Sequence, residues 1–155
     1  VNSRVNSFLG GVAGTDTFQI DLSILAFKNG GLFGKGPGQG ILKEKIPDAN
    51  TDFIFAVAGE ELGYIFCFII IIIILSIIVR SLLNVLKINN PYKIIAISGL
   101  VCSFGLQCLI NIFSSIGLIP TKGMTLPFVS YGGSSMISIA LLFGFLLSLT
   151  NKNNS

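Results

Sequence analysis

The sequence predicts an all-α polytopic membrane protein, because it is too apolar to cover a water-facing surface. Hydrophobic residues make up 52% of the 155 residues and charged residues 11%, with a mean hydropathy of +0.83. Soluble domains carry roughly 25% charged residues. Three uncharged apolar runs account for this composition, and each is long enough to cross a bilayer as a helix. A soluble globular enzyme and a disordered linker are therefore excluded.

Residue types that are absent or few exclude several kinds of site. The chain has no His, which removes imidazole catalysis and most zinc and haem sites. It has three cysteines, so a disulfide framework that pairs all of them is excluded. Cys67, Cys102 and Cys108 all fall in the predicted spans, which favours a role as small packing residues. The net charge of +3, without a basic face, does not suggest nucleic acid binding.

Residues 1–52 are predicted to be a large extracytoplasmic loop, polar and rich in glycine. Within it, residues 15–29 are predicted to form a short amphipathic helix with Phe18, Leu22 and Leu25 on one face. That helix either lies on the outer leaflet or serves as a platform for substrate. The next eleven residues contain six glycines, which predicts a flexible hinge or a close backbone contact.

Residues 53–155 are predicted to be a membrane region of three helices. The spans are expected at about 53–79, 94–119 and 134–150. Many residues of the first span are isoleucines, and their β-branching is no objection because backbone groups in lipid must pair internally. Near its outer end, Glu60 and Glu61 would be costly in lipid, so they indicate a bundle interior or a cavity.

Basic residues determine the predicted orientation. The segment between the first two spans carries Arg80, Lys87 and Lys93 and no acid, and Lys152 follows the third span. The positive-inside rule places both segments in the cytoplasm. The N-terminal loop and residues 120–133 then lie outside.

Asp52, at the end of the N-terminal extracytoplasmic loop where the first span begins, is the predicted catalytic residue. A carboxylate at the edge of a low-dielectric region has a weakened preference for its charged form, which suits a general base. The alternative is a solvated acid that favours the positive end of the helix dipole. Thr51 or Asn50 is predicted to cap the helix. Glu60 could bind a cation or a partner helix.

The second span carries a polar stripe. Ser103, Gln107 and Asn111 recur every four residues and therefore share one face. They are predicted to bond neighbouring helices, and the alternative is that they line a groove for a lipid substrate.

Residues 120–133, between the second and third spans, are the predicted substrate-binding segment, and we call them the outer loop. Lys122 is its only charge, and the Gly- and Ser-rich start of the third span offers backbone N–H groups to an anion. Together these features predict a pyrophosphate site, with a tight turn and an interfacial lysine as the alternative. The predicted substrate-binding residues are Lys122, Ser130, Gly132, Gly133 and Ser134.

Two long motifs resemble the SEDS family (shape, elongation, division and sporulation) and, within it, the cell-division members. The first is NTDFIFA at residues 50–56, followed by EELG at residues 60–63. The second is PTKGMTLPFVSYGGSS at residues 120–135. Their order and spacing agree with the family, and the resemblance covers essentially the whole chain.

The resemblance implies a ten-span protein of the bacterial inner membrane. This chain would hold its large outer loop and its last three spans, and a start at Val1 agrees with missing earlier spans. The implied activity is peptidoglycan glycosyl transfer, in which lipid II is polymerised into glycan strands on the outer face. The implied partners are a class B penicillin-binding transpeptidase and other membrane proteins of the division machinery.

The resemblance also implies roles for individual residues. Asp52 matches the family's essential Asp, which is proposed to deprotonate the acceptor sugar hydroxyl. Lys122 matches a Lys that could steady the leaving pyrophosphate, and Glu44 matches an acid linked to control of activity. Asn50 stands where the family usually has His, and Asp48 where it usually has Glu. These departures put the tuning of the site in question.

Two other functions stay open at this level. A flippase or carrier for lipid-linked precursor would also use the polar stripe. A non-catalytic scaffold or split-gene remnant would dock partners through the N-terminal extracytoplasmic loop. The isolated chain is expected to be inactive. No cofactor is predicted with certainty, and a divalent cation stays open because Asp52 or Glu60 could supply one ligand.

Overall fold

The computed structural model describes residues 15–41, 51–120 and 123–150, and within these ranges every regular element is a helix. The helices are α1 (Thr15–Gly30), α2 (Ile54–Glu61), α3 (Gly63–Val85), α4 (Pro91–Ser115) and α5 (Gly133–Thr150). Three of them, α3, α4 and α5, are long and apolar enough to cross a membrane. The predicted class is confirmed: the chain is an all-α, multi-pass membrane protein.

The predicted first span is two helices instead of one. The chain breaks at Leu62, where α2 closes with a bond from the Leu62 N–H to the Ala58 carbonyl (2.9 Å). Gly63 then takes a φ of +83°, a conformation that glycine adopts without the steric cost of a side chain. Glu60 and Glu61 stand directly before this break, and the predicted span wrongly included them in one continuous helix. Beyond the break, α3 continues to Val85 and includes Arg80.

The break is covered by residues 30–41, which we call the glycine-rich segment. A helix end leaves backbone groups without intrahelical partners, and this segment supplies partners on both sides of the break. The bonds join Lys35 N–H to Glu60 C=O (3.0 Å), Gly36 N–H to Glu61 C=O (2.9 Å) and Tyr64 N–H to Gly31 C=O (3.0 Å). Of the two predicted roles for these glycines, the structure therefore shows the close backbone contact.

Helix α1 forms where predicted, but its buried face is different. Phe18 and Leu25 are exposed, at 60% and 46%, and only Leu22 of the predicted stripe is buried. The helix packs against α2, α3 and α4, with Ser23 and Ala26 fully buried. The Ser23 hydroxyl donates to the Ser115 carbonyl at the end of α4 (2.8 Å). The buried face combines the small residues Ser23 and Ala26 with Ile20 and Leu22, so the predicted stripe shares only Leu22 with it.

The ends of α4 follow from local chemistry. The Asn90 side chain accepts from the Tyr92 N–H (3.0 Å) and Pro91 occupies the first turn, so the helix starts three residues earlier than predicted. It ends at Ser115 because Gly117 adopts a φ of +81°. The following residue, Leu118, donates back to Phe113 (2.9 Å), which is a Schellman motif. The predicted third span, 134–150, agrees with α5.

One apolar cluster joins the membrane helices to the outer loop. It combines residues of α2, α3 and α4 with one loop residue: Phe55, Cys67, Ile70, Phe104, Cys108, Ile112 and Leu126. Cys67 and Cys108 therefore serve as packing residues, as predicted, whereas Cys102 is exposed on the outside of α4. Since α2 and the loop share this cluster, the residues just before α2 lie beside the loop.

Replacing Gly63 with Ala should loosen the cover of the helix break. A Cβ at this position would meet the Leu32 carbonyl and the Gly34 amide, and the backbone would keep a left-handed φ. We expect the free energy of unfolding to fall by about 2 kcal/mol or more. The measurement is thermal unfolding of the purified protein in detergent.

Gly99→Ala is the matched control for Gly63→Ala. Gly99 lies inside α4, and a Cβ there would meet no atom within 4 Å. Ala favours a helix interior over Gly, so this variant should melt at or above the wild-type temperature. Equal melting temperatures for both variants would contradict the proposed importance of the break.

Candidate functional site

Asp52 lies in the turn directly before α2 and is partly buried. The next residue, Phe53, is 3% exposed and forms the N-cap of α2, and its carbonyl accepts from the Ala56 and Val57 N–H groups (3.0 and 3.1 Å). The N-cap residue is Phe53, so the predicted N-cap at Thr51 is wrong, and Asn50 lies outside the described residues. Thr51 lies in the turn, partly buried. The buried Phe53 anchors the main chain that carries Asp52.

The outer loop reaches Asp52 at Gly123. A Cβ built on Gly123 would lie 3.3 Å from Asp52 Oδ2, and Gly123 has a φ of +61°. The Asp52 carboxylate therefore lies against the loop backbone, one residue from Lys122 along the chain. Lys122 itself lies outside the described residues, as does Glu44.

Two side chains of the predicted polar stripe hold the loop. Asn111 Nδ2 donates to the Asp52 carbonyl (2.9 Å) and to the Met124 carbonyl (2.5 Å). Gln107 Nε2 donates to the Thr125 carbonyl (3.2 Å). Within the described residues, the stripe bonds the backbone of the loop and of Asp52 and not that of neighbouring helices, while Ser103 is exposed. The four-residue spacing indicated a common face correctly, but it could not identify the partners of that face.

The loop folds on itself around Ser130. Ser130 is 5% exposed, and its hydroxyl oxygen accepts from the Leu126 N–H (2.7 Å). Its own N–H donates to the Leu126 carbonyl (3.0 Å). This predicted substrate-binding residue thus has a structural position inside the loop.

An aromatic cluster fixes the middle of the loop. Phe128 has a φ of +66°, which is rare for a residue other than glycine. Its ring packs edge-on against Phe143 of α5, with ring centroids 5.0 Å apart, and Phe143 packs in the same way on Phe104 of α4 (5.3 Å). Such outliers cluster at functional sites, where the surroundings hold them in place.

The start of α5 presents the remaining predicted substrate-binding residues. Gly133 and Ser134 are exposed and Gly132 is partly buried. The Gly132 carbonyl accepts from the Ser135 hydroxyl (2.9 Å) and from the Met136 N–H (3.0 Å), which closes the first turn. The first turn of α5 contains no acid, so its amides keep a positive potential toward the loop.

Glu60 belongs to the helix break and is separate from the loop. Its side chain is fully buried, and Oε1 lies 3.6 Å from Lys35 Nζ and accepts from the Ile41 N–H (3.3 Å). Lys35 is 33% exposed and reaches Glu60 from the glycine-rich segment. Glu60 therefore has a supporting position, and Lys35 is a partner that the sequence analysis missed. Within the described ranges, no group of three or more Asp, Glu or Cys residues is arranged to hold a metal ion.

A cavity of about 480 Å³ lies between α1, α2, α3 and the end of α4. Most of its lining is aromatic or aliphatic, with Lys28 as its one basic residue: Ile24, Phe27, Lys28, Phe55, Tyr64, Cys67, Phe68, Ile71 and Ile116. None of the predicted site residues lines it. The described lining suits hydrocarbon and contains no carboxylate, so the candidate site is taken at Asp52 and the outer loop.

Comparison with known proteins identifies the family. A model of the cell cycle proteins FtsW, RodA and SpoVE matches residues 1–155. The chain belongs to this family. The family is the one that the two sequence motifs resemble, so that expectation is confirmed.

Curated relatives come from the cell-division branch of the family. The chain is 47% identical over 152 residues to a probable peptidoglycan glycosyltransferase FtsW of Caulobacter vibrioides, and covers 39% of that protein. Proteins of the same name in Geobacter metallireducens and Buchnera aphidicola are each 42% identical, over 87% and 85% of this chain. The chain spans 36% and 34% of these two. It therefore corresponds to little more than a third of each relative's length.

A solved structure has the same fold. It concerns the structural coordination of polymerization and crosslinking by a peptidoglycan synthase complex. The match has a TM-score of 0.78 at 23% sequence identity and covers 96% of this chain and 40% of that one. The arrangement of helices described above is therefore shared with a chain of that complex.

Removing Lys35 should destabilise the protein more than neutralising Glu60. Lys35→Met removes the positive charge that lies 3.6 Å from the fully buried Glu60 carboxylate. We expect a loss of about 1–3 kcal/mol in the free energy of unfolding. Glu60→Gln keeps an oxygen for the Ile41 N–H and leaves Lys35 partly in solvent, so its loss should be smaller.

The double variant Lys35→Met, Glu60→Gln separates the charge effect from other losses. It should recover most of the stability lost in Lys35→Met, because the buried charge is gone. Lys87→Met, at an exposed position between α3 and α4, is the control and should melt like the wild type. A double variant that melts below Lys35→Met would show that the ion pair is not the source of the effect.

Proposed function

We propose that this chain is the C-terminal region of a ten-span peptidoglycan glycosyltransferase that polymerises lipid II during cell division. The single observation that supports this most is the contact between the Asp52 carboxylate and the outer-loop backbone at Gly123. It joins the two motifs by which the sequence resembles the family. The names and lengths of the curated relatives support the activity and the larger size.

Asp52 is proposed as the general base. A carboxylate at the partly buried entrance to α2 can take the proton from the acceptor sugar hydroxyl. The hydroxyl oxygen then attacks the anomeric carbon of the donor, a new glycosidic bond forms, and the bond from that carbon to the pyrophosphate breaks. The products are a lengthened glycan and undecaprenyl pyrophosphate, which needs positive charge but no protonation to leave.

Positive potential for the leaving group comes from the loop in this proposal. Lys122 precedes Gly123, which lies against Asp52, so the loop could bring a base and a cation to one place. The exposed amide end of α5 at Gly133 and Ser134 is the second proposed source, since helix N-termini favour anions. Ser130 holds the loop in shape, and Glu44 keeps its proposed part in the control of activity.

The membrane arrangement follows from the charges. Residues 1–52 are proposed as an extracytoplasmic loop and residues 53–155 as the three-span membrane region, in the bacterial inner membrane. Arg80, Lys87 and Lys93 then face the cytoplasm with the C-terminus. Lipid II is the proposed substrate, and a class B penicillin-binding transpeptidase and other division proteins are the proposed partners.

The flippase alternative loses its main support in the structure. It relied on a polar stripe that lines a lipid groove, but Gln107 and Asn111 bond the backbone of the outer loop and of Asp52. A transferase requires such a loop to stay fixed beside the base. We therefore propose the transferase alone.

Asp52→Asn should abolish lipid II polymerisation by the full-length protein. The substitution keeps the shape of the side chain but removes its basicity, and loss of a general base lowers rates by about 10²–10⁴-fold. Strand formation from labelled lipid II, measured by gel electrophoresis, reports the rate. Asp21→Asn, at an exposed acid of α1, is the matched control and should polymerise like the wild type. Strand formation by Asp52→Asn at the wild-type rate would refute the assignment.

A further inference from the structure

We propose that Asn111 is a positioning residue that fixes the proposed general base, Asp52, relative to the substrate-binding loop. This deepens the proposed function and rests on it. Asn111 lies near the C-terminal end of the membrane-spanning helix α4, and its side chain reaches the two segments that the proposed reaction needs together. It contacts their main chains and not the reacting atoms.

The geometry of the contact is specific. Asn111 is 1% exposed, and its one NH₂ group donates to the carbonyls of Asp52 (2.9 Å) and Met124 (2.5 Å). Both carbonyls can only accept, so they determine which end of the amide faces them. One side chain therefore joins the main chain of the proposed base to the loop that continues from Lys122.

The amide oxygen points to the same conclusion. Asn111 Oδ1 is buried and has no hydrogen-bond partner among the residues that the structure describes. A buried polar atom without a partner is costly, so a side chain kept only for packing would be apolar. The two N–H donors are the part of this side chain that has a structural use.

Asn111 is itself held rigidly. Its own carbonyl accepts from the Ser115 hydroxyl (2.9 Å), and its neighbour Ile112 belongs to the apolar cluster of α2, α3 and α4. Movement of either bonded segment is thereby limited by the membrane helix. Gln107 differs, because it bonds the loop alone.

Loss of the two bonds should reduce the rate of the chemical step. A displacement of about 1 Å in a reacting group can lower a rate by about 10²-fold. Gln107 still holds the loop in an Asn111 variant, so substrate binding should change less than turnover. We expect kcat to fall about 30- to 100-fold, with KM for lipid II within about threefold of wild type.

The test uses two variants of the full-length protein with its partner transpeptidase, assayed by strand formation from lipid II. Asn111→Asp keeps the shape and replaces the donors with acceptors, and Asn111→Leu removes both polar ends. Ser98→Ala is the matched control, since this hydroxyl bonds only within α4 (3.0 Å to the Ile95 carbonyl). Thermal unfolding of each variant identifies any that fails to fold, and the isosteric Asn111→Asp guards against that outcome.

A double-mutant comparison separates positioning from a purely structural role. Asp52→Glu moves the carboxylate by one methylene, so the placement that Asn111 supplies is already lost. Asn111→Leu should then reduce kcat by less than about threefold in the Asp52→Glu background, because coupled residues are not additive. The same large factor in both backgrounds would overturn the proposal.

The failures of the two proposals are distinguishable. If Asp52→Asn is inactive and Asn111→Asp keeps the wild-type kcat, the positioning role falls and the proposed function stands. If Asp52→Asn polymerises at the wild-type rate, the base assignment falls and the positioning role with it. If both Asn111 variants lower kcat, and this reduction is absent in the Asp52→Glu background, the positioning role and the proposed function are both supported.

Discussion

The architecture depends on a broken helix at the membrane entrance. An unbroken helix from Phe53 to Val85 would have no free backbone groups in this region, and the glycine-rich segment would lose its backbone partners there. The left-handed turn at Gly63 leaves carbonyls at the end of α2 and amides at the start of α3, and the segment pairs with both. The buried Glu60 then fixes the segment through Lys35 and the Ile41 N–H. The short helix α2 thus becomes a separate element with its own direction.

That separation places Asp52 beside the outer loop. Helix α2 packs into the same apolar cluster as the loop residue Leu126, and α1 covers it from the other side. Asn111 adds the direct polar link between the turn that carries Asp52 and the loop. Backbone hydrogen bonds set the position of α2, and apolar packing sets its distance from the loop. Two hydrogen bonds from the Asn111 side chain then fix the Asp52 main chain relative to the loop. A carboxylate placed in this way would lose little freedom on substrate binding if it acts as the proposed base.

The sequence predicted the class, the three spans and the family because each depends on residues that are close together in the sequence. Hydropathy and length define a span whatever it packs against, and the third span was correct to one residue. The break at Gly63 was missed because its cause is a segment that lies about thirty residues earlier. The buried face of α1 was missed because the interface uses Ser23 and Ala26. The stripe of Gln107 and Asn111 was recognised, but its partners depend on where the loop folds.

We propose that Asp52 and the outer loop together form the sugar-transfer site. A structure of the full-length protein with an unreactive lipid II analogue in the acceptor position tests it most directly. We expect the Asp52 carboxylate to lie about 2.6–3.2 Å from the acceptor sugar hydroxyl, with the donor pyrophosphate at the loop that carries Lys122. An acceptor hydroxyl beyond hydrogen-bond reach of Asp52, without a bridging water, would contradict it.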